Sequence, residues 1–159
     1  MKPTLLILTL ILISSTLFPQ SFEIRTGLFW HDSGTIWGNS KKEYGVDFGF
    51  EVIFGDGLLR PNVGFTINSQ GHTSKIYGGY ILEPRINNLF ISLGLGAAFH
   101  SGEIHSKEVK SLGSKLLFRI SIEIGFDNIS VILDHISNAT LARYNDGLDI
   151  LGIRYGWRF

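Results

Sequence analysis

Alternation of apolar and polar residues with a period of two is the feature that most constrains the fold of this chain. Between residues 44 and 54 every second residue is Tyr, Val or Phe, and the residues between them are mostly Gly, Asp or Glu. Side chains of a β-strand point alternately to two faces, so this pattern predicts a strand with one apolar and one polar face. Similar patterns predict eight strands in all, at about residues 22–30, 44–54, 59–67, 75–83, 88–99, 115–126, 129–137 and 148–159.

The segments that connect these strands alternate in length. The short connections are 55–57, 83–88 and 126–128, and the longer, polar ones are 31–43, 68–74, 100–114 and 138–147. Outer-membrane barrels have an even number of strands, short periplasmic turns and longer external loops. The alternation therefore predicts that both chain ends lie in the periplasm and that the 138–147 loop lies outside the cell.

The apolar faces of these strands have no second sheet to cover them in a chain of this length. A closed barrel in a bilayer pairs every strand edge and turns its apolar face to lipid. We therefore predict an all-β fold, an eight-stranded antiparallel transmembrane β-barrel formed by residues 22–159. A soluble barrel with an apolar interior is the alternative that the loop alternation disfavours. Four acidic and four basic residues of the polar faces are expected to pair inside: Arg25, Asp47, Glu51, Arg119, Glu123, Asp134, Arg154 and Arg158.

Residues 1–21 have the layout of a secretory signal peptide, with Lys2 ahead of an apolar run and a polar patch after it. The run is too short to span a bilayer as a helix. A buried N-terminal helix is the alternative, and the cleavage site is left open. Without Lys2 the chain carries 13 basic and 14 acidic residues, a balance that argues against a nucleic-acid partner. The sequence has no Cys, which excludes disulfides and thiol chemistry.

The last predicted strand places Tyr155, Trp157 and Phe159 on one face. A terminal aromatic strand of this kind resembles the segment that the outer-membrane assembly machinery recognises. It supports bacterial outer-membrane localisation.

Three polar residues stand on the apolar faces of the last two predicted strands. His135 and Ser137 are in phase with Val131 and Leu133 on the seventh strand, and Asp149 is in phase with the aromatic residues of the eighth. A polar group that faces lipid costs free energy unless it is paired. We therefore expect these three side chains to interact near the external end of the barrel, where the outer leaflet begins.

A hydrogen-bonded chain from Asp149 to His135 to Ser137 has the composition needed for acyl transfer. The imidazole accepts the serine proton, and the carboxylate orients the ring and stabilises its charged form. Either the neighbouring Asn138 or a nearby backbone N–H could stabilise the oxyanion. The sequence thus predicts catalytic roles for His135, Ser137 and Asp149.

The His-x-Ser-Asn motif at 135–138, the carboxylate on the last strand and the aromatic end resemble the PagL-like outer-membrane lipid A 3-O-deacylases. This resemblance is specific over about residues 134–159. It implies an eight-stranded barrel that removes an ester-linked acyl chain from the lipid A of lipopolysaccharide without a metal or cofactor. It also implies Ser137 as nucleophile, His135 as base and Asn138 at the oxyanion. The family usually has Glu where this chain has Asp149, which is one methylene shorter.

Other polar residues fit the site less well. Asp146 is a competing acid, but the Asn-Asp-Gly sequence around it favours a turn. Asp134 points inward and is expected to pair with an Arg. No metal site is predicted, because the spacings match no ligand pattern among the four histidines in or near the external loops, His31, His72, His100 and His105.

A non-catalytic barrel that binds partners through its loops, or has a structural role, is the alternative function. Ester position, acyl length and oligomeric state are left open by the sequence.

Overall fold

The computed structural model describes residues 21–36 and 43–159. The predicted signal peptide therefore lies outside the described residues, except for Ser21, and stays a prediction. Within the described ranges the chain forms eight long strands and a two-residue strand, β5, in the predicted turn at 83–88. The strands are β1 Phe22–Trp30, β2 Val46–Phe54, β3 Leu59–Asn68, β4 Lys75–Leu82, β5 Arg85–Ile86, β6 Leu89–His100, β7 Leu116–Phe126, β8 Ile129–Ser137 and β9 Leu148–Arg158.

The long strands pair antiparallel with their neighbours and close into a barrel. β4 pairs with β6, and β9 returns to pair with β1. At the end of this last pairing that carries the chain termini, the backbones of Phe22 and Phe159 exchange two hydrogen bonds of 3.2 and 2.9 Å, and their rings stack 5.0 Å apart. The eight-stranded antiparallel barrel expected from the sequence is confirmed.

Buried ion pairs fill the half of the interior near the chain termini. The Arg25 guanidinium lies within 2.6–2.8 Å of the carboxylates of Glu23, Glu83 and Glu123. Arg154 bridges Glu51 and Glu123 across the barrel. The expected interior pairing is confirmed for Arg25, Glu51, Arg119, Glu123, Asp134 and Arg154. It is wrong for Asp47, which contacts His31, and Arg158 is half-exposed at the rim. Arg60 and Glu83 extend the network through two salt bridges at the same rim.

Toward the end opposite the chain termini the interior also contains a packed apolar cluster. Phe29 fits there because Gly49 and Gly152 lie against its ring, where any Cβ would collide with it. The cluster closes under the external loops and contains Phe29, Tyr77, Ala98, Leu112, Leu117, Ile132, Ile136, Leu148 and Ile150.

The outer wall of the barrel is apolar, as the alternation predicts. Leu28, Phe48, Ile76, Ile122 and Ile153 are among the side chains that project from it, each about half or more exposed. In residues 21–36 and 43–159 no helix is long and apolar enough to cross a membrane. Strands with a lipid-compatible outer face and a polar, paired interior have the architecture of an outer-membrane barrel.

Candidate active site on the outer wall

The paired strands β8 and β9 place His135 directly opposite Asp149. Both residues are in the outward phase, and directly opposite residues of an antiparallel pair have neighbouring side chains. The two meet in a contact of 2.6 Å between His135 Nδ1 and Asp149 Oδ1. The shorter side chain of Asp149 therefore reaches the imidazole, and its carboxylate is placed to fix the orientation of the ring.

The external segment 31–36 covers this pair. The backbone N–H of Ile36 donates to Asp149 Oδ2 at 2.8 Å, and the N–H of Ser33 donates to the Asp149 carbonyl at 2.8 Å. His135 and Asp149 are only 5% and 3% exposed, although they stand on the outer face.

Ser137 lies half-buried at the end of β8 and lines a groove of about 330 Å³ together with His135. The neighbouring strand β7 places Phe118 opposite Ser137 and Ile120 opposite His135. Between these two described residues the structure has no Ser137–His135 hydrogen bond. Catalytic hydrogen bonds are often long before substrate binds, so the shared groove is the informative feature. The full lining is Leu95, Gly96, Phe118, Arg119, Ile120, His135 and Ser137.

Asn138 is buried and holds two external loops together. Its Nδ2 donates to the carbonyls of Leu112 and Tyr144, and its backbone N–H donates to Asn145 Oδ1 at 3.0 Å. All three N–H groups of Asn138 are thus engaged within the protein. The next two residues, Ala139 and Thr140, have positive φ values of 52° and 65°. Such strained backbone is concentrated at functional sites.

Asp146 and Asp134, the other acidic residues near the site in sequence, have partners away from His135. Asp146 Oδ2 accepts the backbone N–H of Ser111 at 2.8 Å, which ties the 138–147 loop to its neighbour. Asp134 points into the barrel, where its Oδ2 accepts from Arg119 Nε at 2.9 Å. The inward orientation expected for Asp134 is confirmed.

Sequence reasoning did not find the buried charge cluster at the base of the 31–36 segment. Its centre is His31, which is fully buried and makes 2.9 Å contacts with Asp47 through Nδ1 and with Glu43 through Nε2. Burial lowers the pKa of His31, but hydrogen bonds and charges from the two carboxylates raise it to about 9. Lys110 pairs with Asp32 at 3.0 Å and joins this cluster to the 101–115 loop. No local pattern signals contacts between residues so far apart.

The other histidines make ring contacts or a hydrogen bond with neighbouring residues. The His31 and His72 rings stack with centroids 6.4 Å apart, His100 Nε2 contacts the Ser114 carbonyl, and His105 stacks on Tyr144. Over the part of the chain that the structure describes, no group of three or more His, Cys, Asp or Glu residues is arranged to hold a metal ion.

The fold and the site define a class: a small barrel of outer-membrane type with a serine, a histidine and a carboxylate on its outer wall. Comparison of the sequence with protein-family models then identifies the family. The model for lipid A 3-O-deacylase (PagL) matches residues 15–158. The chain belongs to the PagL family, as the resemblance of its last strands indicated.

A solved structure supports the same fold. The crystal structure of the outer membrane enzyme PagL is similar with a TM-score of 0.56 and 20% identity, over 86% of this chain and 97% of that one. The solution structure of outer membrane protein H (OprH) from P. aeruginosa in DHPC micelles gives a TM-score of 0.45 and 15% identity, over 85% and 99% of the two chains. A comparison with curated protein sequences gave no match.

Proposed function

We propose that the protein is an outer-membrane esterase that removes an ester-linked acyl chain from the lipid A part of lipopolysaccharide. The observation that carries the proposal is the 2.6 Å contact between His135 and Asp149, on the outer wall and beside Ser137, in a member of the PagL family. A serine, a histidine and a carboxylate in this order are the parts of a nucleophilic acyl-transfer site.

In the first half of the reaction, Ser137 Oγ attacks the ester carbonyl carbon while His135 Nε2 accepts the serine proton. The tetrahedral intermediate collapses, the bond to the sugar oxygen breaks, and His135 returns the proton to that oxygen. The acyl chain is then an ester of Ser137. Asp149 accepts the Nδ1–H hydrogen bond throughout and stabilises the imidazolium that forms twice in the cycle.

In the second half, a water molecule attacks the acyl-serine ester and gives its proton to His135. The bond to Ser137 Oγ breaks, His135 protonates that oxygen, and a fatty acid leaves. The net reaction consumes one ester and one water and yields one alcohol and one carboxylic acid. It requires no cofactor.

The oxyanion of each intermediate needs hydrogen-bond donors. We assign Asn138 to this part of the site as the residue that sets the local backbone, because its own N–H groups are committed to Leu112, Tyr144 and Asn145. The backbone N–H groups that follow it, at residues 139 and 140, are the nearby donors. A backbone fixed in advance stabilises such charge without reorganising during the reaction.

The location of the site suits a membrane substrate. Ser137 ends β8 at the external side of the barrel, next to an apolar groove lined by Leu95, Phe118 and Ile120. We place the scissile ester at Ser137 and the acyl chain in this groove, so that the substrate stays in the outer leaflet while it reacts.

The test is mass spectrometry of lipid A from cells that express the wild-type protein or the variant Ser137→Ala. Loss of one ester-linked acyl chain in the wild-type sample, and an unmodified pattern with Ser137→Ala, is the expected result. An unmodified pattern with folded wild-type protein in the membrane would contradict the proposal. That outcome would favour a non-catalytic barrel with a role based on its loops.

A further inference from the structure

We propose that Ile36 is a positioning residue for the acid of the site, acting through its backbone N–H. This inference rests on the proposed function, because it assigns a role in the same reaction. The N–H holds one carboxylate oxygen of Asp149, so that the other oxygen stays aimed at His135. Residues 31–36 together are the acid clamp.

The two oxygens of the Asp149 carboxylate have different partners. Oδ1 lies 2.6 Å from His135 Nδ1, and Oδ2 lies 2.8 Å from the N of Ile36. A carboxylate held at both oxygens cannot rotate about its Cβ–Cγ bond without breaking one of these hydrogen bonds. The acid clamp therefore fixes the plane in which Asp149 meets the imidazole.

The acid clamp also continues the barrel wall beyond the end of β1. The pairing of β1 with β9 stops at Trp30 opposite Leu151, two residues short of Asp149. There the Ser33 N–H donates to the Asp149 carbonyl at 2.8 Å, and the Ser33 hydroxyl lies 3.4 Å from the same oxygen. Backbone and side chain of Asp149 are thus held by the same short segment.

Buried charges anchor the acid clamp at its base. His31 is held between Asp47 and Glu43, and Asp32 binds Lys110. The Glu43 backbone N–H adds a hydrogen bond of 3.2 Å to Asp32 Oδ2. These contacts join the segment to β2 and to the 101–115 loop. Because these buried contacts anchor residues 31 and 32, they fix the position from which Ile36 reaches Asp149.

The central experiment compares Ile36→Pro with Ile36→Ala in purified protein folded into lipid vesicles that contain lipid A. Both variants remove the isoleucine side chain, but only proline lacks the N–H. We expect kcat of the proline variant to be about 10- to 100-fold below that of the alanine variant, the range typical for loss of a group that orients a functional residue. KM should be equal in the two, because the orientation of His135 affects the transition state and not substrate binding.

A double-mutant cycle separates positioning from a merely structural role. In an Asp149→Asn background the same Pro-to-Ala comparison should give a kcat ratio near one, since the N–H acts through the carboxylate charge. If Ile36→Pro does not fold, the α-hydroxy acid analogue of Ile36 replaces the N–H by an ester oxygen and keeps the side chain. With this analogue, kcat is compared with that of the wild type, and the same loss is expected, with a ratio near one in the Asp149→Asn background.

Hydrogen exchange of His135 measures the effect of Ile36 without depending on catalytic turnover. In protein labelled with ¹⁵N-histidine, the Nδ1–H proton of His135 should exchange slowly with solvent in Ile36→Ala and faster in Ile36→Pro. Equal kcat values and equal exchange in the two variants would overturn the inference and leave the proposed function intact. Full activity in Ser137→Ala would instead refute the proposed function, and the exchange rates would still test the clamp.

Discussion

The barrel contains two kinds of buried charged groups, and they differ in where their partners lie. Inside, Arg25 contacts three carboxylates and Glu123 contacts Arg25, Arg154 and Ser130. On the outer wall, Asp149 binds one histidine ring, and a half-buried serine lines the adjoining groove. The interior network crosses from wall to wall, whereas the outer group is assembled on two neighbouring strands and one loop segment.

This difference distinguishes a structural network from the proposed active site. Buried charges that satisfy one another hold a structure in place, and removing one partner leaves the others uncompensated. In the outer group, Ser137, the proposed nucleophile, lines a groove, and the Asp149 carboxylate accepts a hydrogen bond from the backbone of Ile36. The comparison predicts that substitutions in the interior ion-pair network change the stability of the barrel. Substitutions in the outer-wall group should change its activity instead.

The largest effect is expected for Ser137→Ala, which removes the proposed nucleophile. The rate of lipid A deacylation should fall by about 10⁴-fold or more, as it does when a triad serine is lost elsewhere. The free energy of unfolding in urea should change by less than about 0.5 kcal/mol, because the side chain is small and lies outside the interior network. A large loss of stability would remove the distinction between the two regions.

Next in size is Asp149→Asn, which keeps the shape of the side chain and removes its charge. We expect kcat to fall by about 10³–10⁴-fold, because the amide stabilises neither the correct tautomer nor the imidazolium. Asp146→Asn is the matched control, since Asp146 binds Ser111 in the loop. Its kcat should stay within a few-fold of the wild type, and a greater loss there would reopen the choice of acid.

Within the interior, Glu123→Gln should lower the free energy of unfolding by about 3–5 kcal/mol, because it leaves Arg25 and Arg154 facing each other without their shared carboxylate. Activity per folded molecule should be unchanged. Glu108→Gln in an exposed loop is the control, with an expected change under about 0.5 kcal/mol. A kinetic defect in folded Glu123→Gln would show that the two regions are coupled.

The smallest effect concerns the pH dependence of the His31 cluster. Since the pKa of His31 is raised to about 9 from 6.5, its stabilising contribution is complete below pH 6.5 and is lost as the pH rises through 9. His31→Gln should therefore flatten the fall in unfolding free energy between pH 6.5 and 9, by about 1–3 kcal/mol.

The control for this titration is His105→Gln, which changes a histidine that stacks on Tyr144 at the surface. It should leave the pH dependence of stability as in the wild type. If His31→Gln left the fall in unfolding free energy between pH 6.5 and 9 unchanged, groups other than His31 would be titrating in that pH range.

The barrel and its outward residues were predictable because most strands alternate sharply between polar and apolar residues. His135, Ser137 and Asp149 stand out as polar residues in an apolar phase, which is a local signal. The alternation is least clear in β4, since both of its faces carry apolar residues: Tyr77 and Ile81 point inward, and Ile76 and Tyr80 point outward. Tyr77 and Ile81 pack inside the barrel, where most inward residues of the other strands are polar or Gly.

What the sequence did not reveal depends on contacts between distant loops. The cover over Asp149 joins residue 36 to residue 149, and the base of that cover joins His31 to Glu43 and Lys110 to Asp32. None of these pairs shares a strand or a periodic pattern. They follow from the way the barrel brings its external ends together, which can be known only once the register of all strands is fixed.

The contact between Ile36 and Asp149 also sets a temporal order for assembly. Strands β8 and β9 are joined by one loop, so His135 and Asp149 can meet in an isolated hairpin. Ile36 follows the first strand, and it reaches Asp149 only after the first and last strands have met. Until the first and last strands pair, the Ile36–Asp149 hydrogen bond cannot form, so the proposed site is complete only in the closed barrel.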